Sequence, residues 1–187
     1  MKMKMDNQRH SNAIMALLLV LGAVLACSSG DETAKANKLV DEGNTAVQDA
    51  KKFVADAQSK KQQMLNTPVA KLADARATAQ EAIAAYDKAK EKCKEASKKY
   101  EEASKLKIKD KFKEYLALKV KEYDKRAELV ETAKGTPQAL IDSKTRSAFA
   151  GMAKANNERV DRLSKEADDL AAQADKLQKD NPDIFKA

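Results

Sequence analysis

Residues 72–103 read LADARATAQEAIAAYDKAKEKCKEASKKYEEA. Leu72, Ala75, Ala79, Ala82, Tyr86, Ala89, Cys93, Ala96, Tyr100 and Ala103 recur at alternating intervals of three and four. That spacing lines side chains along one face of an α-helix, in a seam that packs on a partner helix. Lys, Glu and Asp fill the other face, as an amphipathic helix requires. No glycine or proline interrupts the run. Most seam residues are alanines, so neighbouring backbones can approach closely while each residue buries little apolar area.

Upstream, Leu39, Gly43, Ala46, Ala50, Phe53, Ala57, Lys60 and Met64 form a second seam of the same kind, widened by Val40, Val47 and Val54. This predicts a first helix over about 33–65. Asn66-Thr67-Pro68 stops it, with Thr67 as a cap and Pro68 at the first position of the next helix. Downstream, the 72–103 seam would continue onto Lys107 and Asp110, where it fails. It resumes in another phase with Ile108, Phe112, Leu116, Val120, Tyr123, Ala127 and Val130. The segment 68–134 is therefore either one rod of about 100 Å with a phase shift, or two helices with a turn within Ser104 to Asp110.

Gly135-Thr136-Pro137 repeats the earlier stop device, with Thr136 as cap, and predicts a last helix over 137–179. Its seam is Phe149, Met152 or Ala153, Asn156, Val160, Leu163, Ala167, Leu170, Ala174 and Leu177. Asn156 is polar in an apolar row, a placement that can fix register or oligomer state at some loss of stability. Asn181-Pro182 ends the helix and leaves 181–187 as a loose tail. Pairs such as Asp56/Lys60, Glu101/Lys105, Glu122/Arg126 and Asp175/Lys179 are expected on exposed faces. The fold class is all-α: an elongated antiparallel bundle or coiled coil of three to four long helices over 33–180.

Several chemistries are excluded by residue type. His10 is the only histidine, it lies before the helical body, and the chain has no tryptophan. Histidine-based catalysis and Cys/His zinc sites are thereby removed from the body. Adjacent carboxylates such as Asp168-Asp169 or Glu101-Glu102 diverge on a helix and do not converge on a substrate. No phosphate loop, calcium loop or nucleophile elbow is present. The chain reads as non-enzymatic, with no cofactor and no metal. Cys93 lies in the apolar seam and reads as a small buried hydrophobe.

The densest basic stretch holds Lys105, Lys107, Lys109, Lys111, Lys113, Lys119, Lys121, Lys125 and Arg126 against Asp110, Glu114, Glu122 and Asp124. Phe112, Tyr115 and Tyr123 are interleaved with it. Two readings stand: a binding surface for an anionic polymer or lipid, or the solvated face of a long helix whose aromatics are core.

The N-terminus places the chain in a compartment. Lys2, Lys4 and Arg9 precede an apolar run from Ala13 to Ala26, which ends in Val24-Leu25-Ala26-Cys27. The run is short for a spanning helix and suits a cleaved export signal. Val24-Leu25-Ala26-Cys27 resembles the lipobox of bacterial lipoproteins: an aliphatic residue, a tolerated second residue, a small residue, then Cys. Val24 stands where Leu is commonest, and Leu25 is bulkier than usual. The other reading of these residues is an uncleaved N-terminal anchor with an incidental cysteine.

The resemblance implies that 1–26 is removed and that Cys27 carries a thioether-linked diacylglycerol and an N-acyl group. The chain would then be held to a membrane by several acyl chains. It also implies that 27–32 is a tether, and that Ser28 directs sorting to the periplasmic face of an outer membrane where the organism has two membranes. Loss of Lys2, Lys4, Arg9 and Asp6 would take the net charge from +7 to about +5. Export makes nucleic acid an improbable partner and favours peptidoglycan, anionic lipid or another protein docked on the helical faces. An acylated N-terminal Cys with an alanine-rich heptad body is similar to the Braun-type major outer-membrane lipoprotein. In that family a C-terminal lysine is linked to peptidoglycan; here Lys186 is followed by Ala187, the chain is longer and breakers interrupt it.

Overall fold

In the computed structural model residues 31–186 are described, and they form five α-helices. The N-terminal stretch read as an export signal, and Cys27, lie outside the described residues. The helices are α1 (Thr33–Asn66), α2 (Leu72–Ser104), α3 (Asp110–Ala133), α4 (Gly135–Asp142) and α5 (Arg146–Asp180), with a 3-10 turn at Val69–Lys71. No strand occurs among the described residues, and none of these helices is long and apolar enough to cross a membrane. The protein is an all-α bundle.

The seam of α2 is buried as its spacing requires. Ala75, Ala79, Ala82, Tyr86, Ala89, Cys93, Ala96, Tyr100 and Ala103 are all in the core, and only Leu72 at the tip is exposed. On α1 the buried line is Ala36, Val40, Gly43, Ala46, Val47, Ala50, Val54, Ala57 and Met64. The three valines thus lie at its centre, while Phe53 and Lys60 sit at its edge.

The central segment is two helices. The chain turns over Lys105–Lys109, without glycine or proline, through Lys105 N–H to Glu102 O (3.3 Å), Leu106 N–H to Ala103 O (3.2 Å) and Ile108 N–H to Leu106 O (3.0 Å). The change of seam phase decides this. After the turn Ile108, Phe112 and Leu116 face back onto Ala36, Val40, Ala96 and Tyr100. A straight rod would have carried them away from that core.

Three expected details are corrected. Thr67 does not cap the next helix: its hydroxyl donates to Gln63 O at 2.9 Å, closing α1 instead. Thr136 is buried in α4, where its hydroxyl meets Asn156 and Asn157 of α5, and it caps nothing. The expected single helix 137–179 is α4 followed by α5, with the reversal at Ser143-Lys144-Thr145. There the Thr145 hydroxyl accepts the Ala148 N–H at 3.2 Å. The Asn156 amide donates to Thr136 Oγ1 at 3.0 Å, so the polar seam position joins α5 to α4. Gly135 permits this approach, since a Cβ there would fall 2.2 Å from Asn156 Oδ1.

The stretch 181–187 is not loose over its described part. Ile184 is buried, and the Phe185 ring packs edge-on against Phe112 (4.9 Å between centroids) and Tyr115 (5.2 Å). Asn37 Nδ2 donates to Phe185 O at 3.0 Å. The end of α5 is thereby tied across α3 to the start of α1.

Helices α1, α2, α3 and α5 pack in that order, each on the next. The outer pair, α1 and α5, are joined at one pole by the C-terminal segment and approached at the other by α4, whose Leu140 and Ile141 pack with Leu65 near Met64. Between the poles they stay apart.

Candidate functional site

Two regions bear on function: the pole where α1 begins, and the cleft between α1 and α5.

At the pole, Asp31 and Glu32 are structured and do not form slack tether. The Asp31 carboxylate accepts the Thr33 hydroxyl at 2.5 Å and the Thr33 N–H at 2.8 Å. These two bonds hold it below the usual carboxylate range. Glu32 and Lys107 bond reciprocally: Glu32 N–H donates to Lys107 O at 2.9 Å, and Lys107 N–H donates to Glu32 Oε2 at 3.0 Å. That second bond likewise lowers the Glu32 pKa. Lys109 Nζ donates to the carbonyls of Asp183 and Lys186, and the Lys186 ammonium lies 2.6 Å from Asp183. The start of α1, the α2–α3 turn and the C-terminal segment therefore meet at one end.

The basic stretch does not form one face. Lys105 pairs with Glu101 at 2.7 Å and Lys111 with Glu114 at 2.6 Å. Lys113 and Lys121 are exposed and make no ion pair among the described residues. Lys119 and Arg126 turn inward, which removes them from any solvent-facing patch. Phe112, Tyr115 and Tyr123 are core residues.

The inward pair converges on Glu122, which has no exposed surface. Lys119 Nζ lies 2.6 Å from Glu122 Oε2, and Arg126 Nε lies 2.8 Å from Glu122 Oε1. Arg126 also reaches Asp168 of α5 at 3.3 Å. Burial opposes the Arg126 charge, but the field and hydrogen bond of Glu122 more than offset it and raise its pKa. Lys119 sits over the Tyr123 ring at 5.0 Å and near the Tyr100 ring at 6.0 Å. The expected Glu122/Arg126 pair thus exists, but in the interior. The pairs Asp56/Lys60 (2.6 Å) and Glu101/Lys105 (2.7 Å) are on the surface. Near the end of α5, Lys176 pairs with Asp180 at 2.6 Å.

Arg126 and Asp168 of this network line a cleft of about 530 Å³ between α1 and α5, floored by α2 and α3. Val47, Val54, Tyr86, Leu129, Val130 and Val160 give it an apolar lining. Cys93 is part of the floor, and burial pushes its thiol up to about 12, so it is neutral and unreactive there. Two hydroxyls on the lining, Tyr123 Oη and Ser164 Oγ, are buried and without a hydrogen-bond partner. Lys51 lies on the α1 edge. Its pKa is lowered by burial and by the neighbouring Arg126 and Lys119 charges, and it makes no ion pair among the described residues.

Sequence reading placed Lys119 and Arg126 in a solvent-facing basic stretch, read Tyr123 as a seam residue, and left Ser164 without a role. The three- and four-residue spacing puts Lys119, Glu122 and Arg126 on one helix face without saying what covers that face. No protein-family model matches the chain, and comparisons with curated proteins and with solved structures found no match.

Proposed function

We propose that this chain is a non-enzymatic, lipid-anchored helical protein of the cell envelope. It is exported by residues 1–26, acylated on Cys27, and acts as a spacer or as a scaffold for a protein partner. The observation that supports this most is the position of Asp31. It lies four residues beyond Cys27 and is fixed at one pole of the bundle by its bonds to Thr33. An acylated Cys27 would hold that pole within about 14 Å of the bilayer. The long helices, 34 residues in α1, would then extend about 50 Å away from it.

Intact-mass and peptide mass spectrometry of the chain expressed in a lipoprotein-processing bacterium tests this. The expected mature chain begins at Cys27 and carries diacylglycerol plus acyl mass, and Cys27→Ser abolishes both. An unprocessed polypeptide in the soluble cytosolic fraction would overturn the reading.

A second reading takes the same pole as a contact for anionic lipid or peptidoglycan through Lys105, Lys107, Lys109, Lys111 and Lys113. It is favoured by the location of the α2–α3 turn beside the start of α1. Salt-dependent sedimentation with anionic vesicles or purified peptidoglycan discriminates: changing those five lysines to Gln abolishes binding under this reading and changes little under a scaffold role.

A further inference from the structure

The cleft between α1 and α5 is an unusual feature in a bundle otherwise closed by alanine seams. It runs along α1 from Val47 to Lys61, about 21 Å of helix, so it is long and narrow. Its volume of about 530 Å³ lies in the range of small-molecule sites. Both poles are closed, one by Phe185 on Phe112 and Tyr115 and the other by α4. An occupant must therefore lie along the helix axes.

The lining has an apolar stretch with polar groups toward each end. The apolar stretch is Val54, Tyr86, Val130, Ala133 and Val160, and toward α4 it is joined by Gln58, Lys61, Asn157 and Asp161. At the level of Tyr123 it becomes cationic and hydrogen-bonding. Lys51, Arg126 and Asp168 line it there, and Lys119 and Glu122 adjoin Arg126 outside the lining, three cations to two carboxylates in all. Glu122 is occupied by Lys119 and Arg126, and Asp168 by Arg126. Lys51 is left over, partly desolvated beside like charge. Lys61 and Asp161 attract each other at the opposite end, and Lys165 lies on the α5 rim. Tyr123 Oη and Ser164 Oγ line the same cleft as Lys51 and Arg126, each buried and unpaired. Unsatisfied buried hydroxyls are costly to a bundle that gains nothing from them. Two such donors in one cleft with the Lys51 ammonium and the Arg126 guanidinium form a receptor for a compact anion, and the apolar part of the lining receives its tail.

We propose that this cleft binds a long-chain fatty acid, with the carboxylate held by Lys51, Arg126 and the hydroxyls of Tyr123 and Ser164, and the acyl chain lying along Val54, Tyr86, Val130 and Val160. The floor suits this occupant, because Cys93 and Tyr86 present neutral groups to the chain. The carboxylate head is preferred to a lipid headgroup because the receptor is a small buried cluster and not an open basic face. The inference does not depend on where the protein resides.

Calorimetric titration of the full chain, stripped of co-purified lipid, tests the assignment with myristate, tetradecanol and myristoyl lysophosphatidylglycerol below their aggregation limits. One myristate is expected per chain, with tetradecanol weaker by about tenfold or more. Lys51→Met should weaken myristate by about tenfold and leave tetradecanol unchanged. Tyr123→Phe should weaken myristate while the unliganded protein stays as stable or gains stability, since an orphan hydroxyl is removed. Val160→Trp should block binding with the helical circular-dichroism melt retained. Equal binding of acid and alcohol, tighter binding of the lysophospholipid, or myristate binding indifferent to Lys51→Met and Val160→Trp would each overturn it.

Discussion

Gly43 of α1 lies directly beneath the ring of Tyr100 of α2: a Cβ at position 43 would stand 2.9 Å from Tyr100 Cε1. The ring cannot retreat easily. Its hydroxyl donates to Asn44 Oδ1 at 2.7 Å, and the ring packs at a tilt on Tyr123, 5.6 Å between centroids. A glycine inside a helix costs helix stability, and here it makes room for the Tyr100 ring of α2 against α1.

Two glycines with opposite surroundings give a paired prediction. Gly43→Ala gains about 1 kcal/mol of helix propensity but overpacks a fixed ring, which costs roughly 1–3 kcal/mol, so the net effect is destabilisation of about 1 kcal/mol. Gly151 of α5 has open space where its Cβ would be. Gly151→Ala should therefore stabilise by up to about 1 kcal/mol. Urea denaturation of both variants measures the two signs together.

The Lys119–Glu122–Arg126 cluster predicts a second contrast. Glu122→Ala strands two cations in the interior and should cost about 3–5 kcal/mol. Replacing all three by apolar residues of similar volume, as in Lys119→Met with Glu122→Leu and Arg126→Met, should bring stability back to within about 1 kcal/mol of the parent. Equal losses in the single and the triple variant would show that the charges are favourable in themselves and not simply mutually dependent.

The contrast between the seams and this cluster explains what was legible in the sequence. An alanine–tyrosine heptad on 72–103 has one way to bury its face, and the structure buries it there. The phase change at Ser104–Asp110 gave the location of a break but not whether the chain turns. That outcome depends on Ile108 and Phe112 finding a core in α1, a contact between residues distant in sequence. Thr67 and Thr136 matched a capping pattern, yet each hydroxyl found a nearer or buried partner. The reversal at Thr145 carries neither glycine nor proline, so the local signal was weak. Glu122 and Arg126 at four-residue spacing look identical on a surface and in a core, because spacing gives the shared face and not what covers it. The cleft was illegible for the same reason: it is a gap between α1 and α5, which are far apart in sequence.

The C-terminal segment gives a prediction about packing. Phe185→Ala removes two edge-to-face ring contacts and uncovers Phe112 and Tyr115, which should cost about 2 kcal/mol. Asp183→Asn, which touches only exposed partners, should change stability by less than about 0.5 kcal/mol. Thermal melts of the two variants separate a docked segment from a dangling one; indistinguishable melts would mean the segment carries no packing.

Acid should loosen the α1 pole through Asp31 and Glu32. Thr33 depresses the Asp31 pKa below its ordinary 3.8, and the Lys107 N–H depresses that of Glu32 below its ordinary 4.5. A carboxylate whose folded pKa is depressed adds stability that is fully present above the unfolded value. That stability is lost as pH falls through the folded value. The contribution should therefore be intact above about pH 5 and disappear progressively below about pH 4. Both groups are solvent-exposed, so salt should shrink the effect without reversing its sign. Hydrogen-exchange protection of the Lys107 amide, which donates to Glu32, reads the change locally. It should fall over this window before protection at Ala89 or Ala96 in the buried seam does. Asp31→Asn with Glu32→Gln keeps oxygen acceptors that do not titrate, and should remove the Lys107 step while leaving the seam residues unchanged. A Lys107 amide that stays protected in the parent chain to the acid limit of the fold would contradict the assignment of these two bonds as the pole's fastening.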